Sequence, residues 1–533
     1  MHITYYFDNK KYEVDGNDSN IEIRYEYIDK RVVVKLVCKR KIKLISCEDV
    51  ISHNYYKDDL FFLNGYQSWT DSYEYKYNEK LKNIYKLPKW LVDMFSFDKY
   101  GDQTFVEYSK DVFHAFDISY VKGRNPICII NYNYKNAYLI IRHNKKQNLL
   151  ILHSDVSNKL LDENEEYTIF NYVIDSNISN TINELKKQFK CNNKKLFGYT
   201  SWYNHYQNIN ESIILNDMPN DSRFNLFQID DGFEEYVGDW LKIDKNKFPN
   251  GLKPVVDKIH NKNMLAGIWL APFICEEKSY IFKEHKDWIK KDSIGNLVKA
   301  GCNWSGFYAL DIFNLEVVDY IKNVLNYYVS LGFDFFKLDF LYACNLENNS
   351  NMTRAEVSEY AYSLLRECLK DKLILGCGAT IFNSIDKFDY LRIGPDVSLK
   401  FDDVWYMKYM HRERISTKNT LRNTIYRSIF NGLFLNDPDV FLLRDNNIWL
   451  NKKQRYALTI INSLFGSLLM TSDDINNYDD EKRNILKVAL DNFYNGIILN
   501  YQRIDNKIRI TYKIKDVNKT FSYDIKKGVI TNG

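Results

Sequence analysis

No Cys-x-x-Cys pair occurs among the nine cysteines of this 533-residue chain, and their number is odd. Cys38, Cys47, Cys128, Cys191, Cys275, Cys302, Cys344, Cys368 and Cys377 therefore suggest neither a disulfide framework nor a zinc knuckle. The chain also lacks a Gly-x-Gly-x-x-Gly run and a Gly-x-x-x-x-Gly-Lys-Ser/Thr loop, which disfavours nucleotide-binding folds. No apolar stretch approaches the roughly 18 residues of a membrane span. The first ten residues show no basic start followed by an apolar run, so no signal peptide is visible. A soluble, cytoplasmic protein with no membrane partner is the expectation. The formal net charge of +3 is too small and too mixed to argue for a nucleic-acid partner.

What is present is globular: 45% hydrophobic and 27% charged residues, over a length that calls for two or three domains. Aromatic residues reach 16%, with 42 tyrosines. A general habit of Lys, Asn, Ile and Tyr usage explains this more simply than stacking surfaces for sugars or bases.

Residues 1–185 read as β-structure. Alternating runs such as Ile21–Tyr27 and Val32–Val37 are broken by Asn, Asp and Gly, which predicts an N-terminal β-sandwich. Within it, Phe61–Thr70 carries a turn with Trp69 at its tip, and local sequence alone favours a packed tryptophan. A linker helix is expected after Ile182. From 186 to 494, strand candidates at 196–202, 225–231, 264–271, 333–340, 373–378, 389–394, 432–437 and 467–472 alternate with amphipathic runs such as 315–330, 353–370, 415–430 and 452–465. That alternation predicts a central (β/α)8 barrel, with a doubly wound open sheet as the alternative. Residues 495–533 read as a small antiparallel β-domain.

In a (β/α)8 barrel the C-terminal strand ends build the active site. Here they supply Tyr199-Thr-Ser-Trp202-Tyr203, Gln228-Ile-Asp230-Asp231, Gly267-Ile-Trp269, Lys337-Leu-Asp339, Gly376-Cys377-Gly378, Arg392-Ile-Gly-Pro-Asp396, Asn436-Asp-Pro-Asp439 and Ser472-Asp-Asp474. Lys337 and Asp339, two apart on a strand, share one face. The ring is rich in Asp and Trp and poor in His. That argues against a mononuclear zinc site and a Ser-His-Asp triad, and no metal or cofactor is expected. Paired carboxylates beside tryptophans suit glycoside hydrolysis. Competing roles exist: Asp230-Asp231 as a helix cap, Asn436–Asp439 as turn chemistry, Ser472–Asp474 as a cap, and Trp269 or Cys377 as buried packing.

The motifs Gly65-Tyr-Gln-Ser-Trp69, Tyr199–Tyr203, Phe227–Asp231, Gly238-Asp-Trp240, Gly267–Phe273, Glu284–Trp288, Phe336–Phe340, Leu375–Gly378, Arg392–Asp396 and Leu435–Asp439 run in collinear order over about residues 60–475. In these the chain resembles glycoside hydrolase family 36, the compact bacterial α-galactosidases. The resemblance implies a retaining exo-α-galactosidase acting on α-galactoside oligosaccharides, with Asp339 as nucleophile and Asp396 as general acid/base. It implies sugar contacts from Asp230 and Asp231 (O4 and O6), Trp269, Lys337, Arg392 and Cys377 (near O2), and a Trp69 carried in from the N-terminal domain, against its packed reading. Trp202 and Tyr203 join the sugar-binding set. Lys337 is expected to keep Asp339 ionised, and Asp396 to hold its proton near neutrality. An α-N-acetylgalactosaminidase and an α-galactosyl transglycosylase are the catalytic alternatives. A non-catalytic carbohydrate-binding protein is disfavoured because both carboxylates are present. Either a monomer or a homo-oligomer is compatible with the sequence.

Overall fold

Period-two burial organises the first third of the chain. Along Arg31–Cys38 and Ile42–Ser52, buried and partly exposed residues alternate, the signature of strands with one face on a core. The structure is a computed structural model that describes residues 1–81, 87–102, 109–348, 350–402 and 414–532. Its N-terminal region holds two antiparallel sheets. One runs in the order Lys10–Asp15, His2–Phe7, Ile42–Ser52, Leu149–Asp155, Tyr138–Asn144, Val112–Phe116. The other runs Ile21–Ile28, Arg31–Cys38, Glu166–Asp175, Ile127–Asn131, Ile118–Lys122, Leu60–Leu63, Tyr73–Lys76. Leu44, Leu139 and Leu152 from the first sheet and Leu36, Phe61 and Ile129 from the second share one apolar core.

The helix Ile178–Lys187, capped by the Asn177 side chain, leads out of this region. It is followed by a curled parallel sheet. Its strands lie in the order Leu435–Asp437, Tyr390–Arg392, Leu373–Gly376, Phe335–Leu338, Leu265–Leu270, Leu226–Ile229, Leu196–Thr200, Leu468–Thr471, Val440–Phe441. These strands are buried on both faces, as a helix-covered parallel sheet requires. Each of the eight expected strand positions holds one of them. The ninth, Val440–Phe441, directly follows Asn436–Asp439, for which turn chemistry was one sequence reading. Pro438 has no N–H to donate, so pairing breaks there and resumes two residues later. The two ends of the strand path are thus separated in sequence only by Pro438 and Asp439.

Helices Leu315–Leu331, Arg354–Leu369, Thr417–Tyr426 and Lys452–Phe465 occupy the expected amphipathic runs. Capping boxes at Thr353/Glu356 and Asn451/Gln454 set the starts of two of them. Between the third and fourth parallel strands, Ile274–Glu276, Lys299–Gly301 and Phe307–Ala309 form a small antiparallel sheet. After the helix Asp480–Asn495, four antiparallel strands from Ile497 to Asn532 complete the chain. None of the described helices is long and apolar enough to cross a membrane.

The loop Asn64–Ser72 ties the N-terminal sheets to the parallel sheet. The fully buried Arg427 guanidinium donates to the carbonyls of Ser68 (2.6 Å), Gln67 (3.0 Å) and Ile393 (3.0 Å). Asn423 adds a bond to the Thr70 carbonyl (2.9 Å) and accepts from the Ser72 N–H (2.8 Å). Arg427→Met leaves several buried carbonyls without donors, so a loss of about 3 kcal/mol or more in urea unfolding is expected. A loss below ~1 kcal/mol would mean that this anchor is dispensable.

Candidate active site

A cavity of about 390 Å³ opens at the C-terminal ends of the parallel strands. Its lining includes Asp230, Asp231, Trp269, Lys337, Asp339 and Asp396, with Trp69 and Trp202 among the aromatic walls. Eight of the eleven residues singled out from sequence therefore face one space. Tyr203, Cys377 and Arg392 lie behind that lining and act on it through other side chains.

Asp339 follows directly on the Phe335–Leu338 strand. Its Oδ2 accepts from Trp269 Nε1 (3.0 Å) and its Oδ1 from the Phe340 backbone N–H (2.8 Å). Phe340 itself adopts a left-handed conformation, φ 55°, sparsely populated for a bulky residue. Both oxygens are therefore fixed while the side chain remains on the cavity wall. Lys337 lines the same cavity as Asp339, the strand face they were expected to share. Its Nζ donates to Asp230 Oδ2 (2.9 Å), and the bonds on Asp339 come from Trp269 and the backbone. Burial works against the Lys337 ammonium, but the charges of Asp230 and Asp339 outweigh it and hold its pKa above the ordinary lysine range.

Asp230 is heavily bonded. Its Oδ2 also accepts from Gln228 Nε2 (2.6 Å) and Thr200 Oγ1 (3.3 Å), and its Oδ1 accepts the Asp231 N–H (3.0 Å). Asp231 accepts from Trp304 Nε1 (2.9 Å) and Gln207 Nε2 (3.0 Å). Burial raises the Asp231 pKa, opposed in part by hydrogen bonds from Glu234 and Trp304. Burial and then the Asp231 charge push Glu234 well above the usual carboxylate range. The helix-cap reading of Asp230-Asp231 does not describe these side chains, which sit in a polar network on the cavity floor.

Trp69 reaches the cavity from the N-terminal region. Its indole packs edge-on against Phe340, with ring centroids 5.2 Å apart, and its Nε1 donates to Cys377 Sγ (3.3 Å). Gly378, at φ 62°, allows this approach: a Cβ there would lie 3.1 Å from the Trp69 ring. The glycine beside Cys377 thus makes room for a tryptophan more than 300 positions earlier.

Asp396 sits on the wall with its side chain 32% exposed. Its Oδ1 accepts from Arg392 Nη1 (2.8 Å). Burial raises its pKa, Arg392 and Lys337 pull it down, and Asp339 and Asp230 push it up again, with a net rise. A carboxyl that holds its proton beside fixed carboxylates can donate that proton to a leaving group.

Sequence reasoning missed Trp304, Gln207, Phe97, Tyr100, Cys302 and Ile415, all on the cavity lining. Trp304 sits at φ 53° in the connection between Lys299–Gly301 and Phe307–Ala309. A tryptophan flanked by turn formers in Cys302-Asn-Trp-Ser-Gly306 was the available signal. Among the described residues, no group of three His, Cys, Asp or Glu side chains is arranged to hold a metal ion.

The fold, a curled parallel sheet accompanied by antiparallel sheets, is shared with solved α-galactosidases. The α-galactosidase TtGalA from Thermus thermophilus, in complex with p-nitrophenyl α-D-galactopyranoside, matches with a TM-score of 0.72 at 21% identity, over 97% of this chain and 98% of that one. Residues 176–375 match the family model described as Melibiase. Among curated proteins, a probable α-galactosidase G of Aspergillus terreus is 26% identical over 42% of this chain and 31% of its own length. Alpha-galactosidase 2 of Pediococcus pentosaceus is 38% identical over 10% of this chain and 7% of its own length. The chain thus aligns with only a small part of these curated relatives.

Proposed function

We propose that this protein is a retaining exo-α-galactosidase whose parallel sheet closes as a (β/α)8 barrel around the cavity. The closure reading rests on the strand path, whose ends flank Pro438 and Asp439. The observation that carries the function is the carboxylate pair on one cavity wall. Asp339 is fixed at both oxygens, and Asp396 is biased toward its protonated form.

In this reading Asp339 attacks the anomeric carbon as Asp396 passes its proton to the departing glycosidic oxygen. A galactosyl–Asp339 ester results. Asp396, now a carboxylate, takes a proton from water, which attacks the same carbon and releases galactose and free Asp339. Asp230 and Asp231 receive the galactose O4 and O6 hydroxyls, with Lys337, Trp304 and Gln207 holding the two carboxylates in place. The substrate class follows the relatives: a structure of TtGalA is described in complex with stachyose. Cys377 is buried and bonded to Trp69 (3.3 Å), and a wall closed by these two residues favours galactose over N-acetylgalactosamine. The assay is a panel of p-nitrophenyl α-galactoside, α-N-acetylgalactosaminide and α-glucoside. Turnover of the first well above the others is expected, and none on the first overturns the reading.

Trp69 should bind sugar as well as close the wall. Trp69→Ala is expected to lower kcat/KM about tenfold, the scale of one aromatic contact of 0.5–1.5 kcal/mol. Unchanged kcat/KM would return Trp69 to a packing role. With a raised Asp396 pKa, the alkaline fall of kcat/KM should come above the usual range of aspartate, and Asp396→Asn should abolish that limb. A limb that survives in the variant would belong to another group.

A further inference from the structure

The Arg392 guanidinium is shared by three carboxylates. Nη1 donates to Asp396 Oδ1 (2.8 Å), Nε to Asp437 Oδ2 (2.8 Å), and Nη2 lies 3.0 Å from Asp439 Oδ1. Asp437 and Asp439 are buried and lie behind the cavity, flanking Pro438 where the strand pairing breaks. Asp439 has further partners: its Oδ2 accepts from the Tyr203 hydroxyl and from the Val397 N–H (2.8 Å), the residue next to Asp396. Its left-handed backbone, φ 73°, and the bond from its N–H to Asp437 Oδ1 (2.9 Å) hold the two carboxylates in a fixed relation. Turn chemistry explains the Asp437–Asp439 bond. It does not explain a buried tyrosine, an arginine and the catalytic loop converging on one carboxyl.

We infer that Asp439, backed by Tyr203 and linked through Arg392, is a positioning residue that sets the proton affinity of Asp396. The inference rests on the hydrolase reading above and extends it. Three carboxylates on one guanidinium cannot all be neutralised by a single positive charge. Each negative charge added behind Arg392 weakens its hold on the Asp396 carboxylate and favours the protonated acid. Asp439 itself is pushed up to about 7, by burial first, with Arg392 opposing and Asp396 and Asp437 adding to the rise. Asp396 and Asp439 therefore titrate as a pair, and the second proton leaves at the higher pH. The other groups that face them are Lys337, Asp339 and Asp230 from neighbouring strand ends, Cys377, and Tyr203. The arrangement accounts for Tyr203 and Arg392 lying behind the cavity lining.

The test is the pH dependence of kcat/KM for Asp439→Asn, read on two galactosides. Melibiose has a poor leaving group and needs the acid. 2,4-Dinitrophenyl α-galactoside has a good one and does not. The alkaline limb for melibiose is expected to move down by about one pH unit or more. At neutral pH the loss should be about tenfold greater on melibiose than on the aryl substrate. Tyr203→Phe keeps the ring and removes only the hydroxyl donor, so it should move the limb in the same direction by less, and it stands in if Asp439→Asn does not fold. An unmoved limb in the folded variants, or equal losses on both substrates, overturns the inference and leaves the hydrolase reading intact. A native chain that hydrolyses neither substrate overturns both.

Discussion

Asp339→Gly is expected to lower turnover of p-nitrophenyl α-galactoside by a factor on the order of 10⁴–10⁶, the scale seen when a covalent nucleophile is lost. Among the described residues, the other carboxylates on the cavity are tied to other partners, Asp396 to Arg392. Asp230 is engaged by Lys337, Gln228 and Thr200, and Asp231 by Trp304 and Gln207. Glycine also empties the volume of the carboxylate. Azide, small and anionic, can enter that space and attack from the nucleophile's side, so it should restore part of the rate and give the galactosyl azide of inverted anomeric configuration. The fold should not be the cause of the loss. Trp269 Nε1 and one backbone N–H lose their acceptor, while the strand and the Arg427 anchor are untouched. Full activity in the variant, or a folded variant that azide does not affect, would remove Asp339 from this role.

Discrimination between epimers should be nearly as large. Galactose and glucose differ only at C4, and the proposed contact there is a pair of buried carboxylates. A glucoside would leave one of them facing the cavity without its hydroxyl donor, and a site built around such a bond rejects the analogue lacking it by about 10⁴-fold. The ratio of kcat/KM for p-nitrophenyl α-galactoside over α-glucoside should reach that order. Asp231→Asn, which reverses the acceptor geometry toward Trp304 and Gln207, should lose most of it through the galactoside. Comparable rates on the two sugars would mean that Asp230 and Asp231 serve the network on the floor and not the substrate.

Much of this site was legible in the sequence because strand ends announce themselves. A buried run of apolar residues that stops at an Asp or a Trp marks both the strand and the point where its chain meets solvent. That logic located Asp230, Asp231, Trp269, Lys337 and Asp339 on one cavity. It could not say how the charges pair. Lys337 and Asp339 share a strand face, yet the ammonium is bonded to Asp230 across the sheet, because cross-strand neighbours depend on register and not on spacing within one strand. Turn chemistry describes Asn436–Asp439 only in part. Asp-Pro-Asp is a good turn sequence, and it is a turn in part, but its carboxylates point at Arg392 and Tyr203. Trp69 was ambiguous for a related reason. Its loop belongs to another sheet by sequence, and residues more than 300 positions later, Arg427, Asn423 and Cys377 among them, hold it at the cavity. Trp304 sits in a short connection with no periodicity at all.

The central claim is that Asp339 and Asp396 act as a retaining pair on an α-galactoside. The most direct measurement is the anomeric form of the first sugar released, followed by ¹H NMR during rapid hydrolysis of p-nitrophenyl α-galactoside. The account predicts that α-galactose appears first and mutarotates to the β form afterwards. First appearance of β-galactose would contradict it, since that outcome requires a single displacement by water and leaves Asp339 without a covalent role.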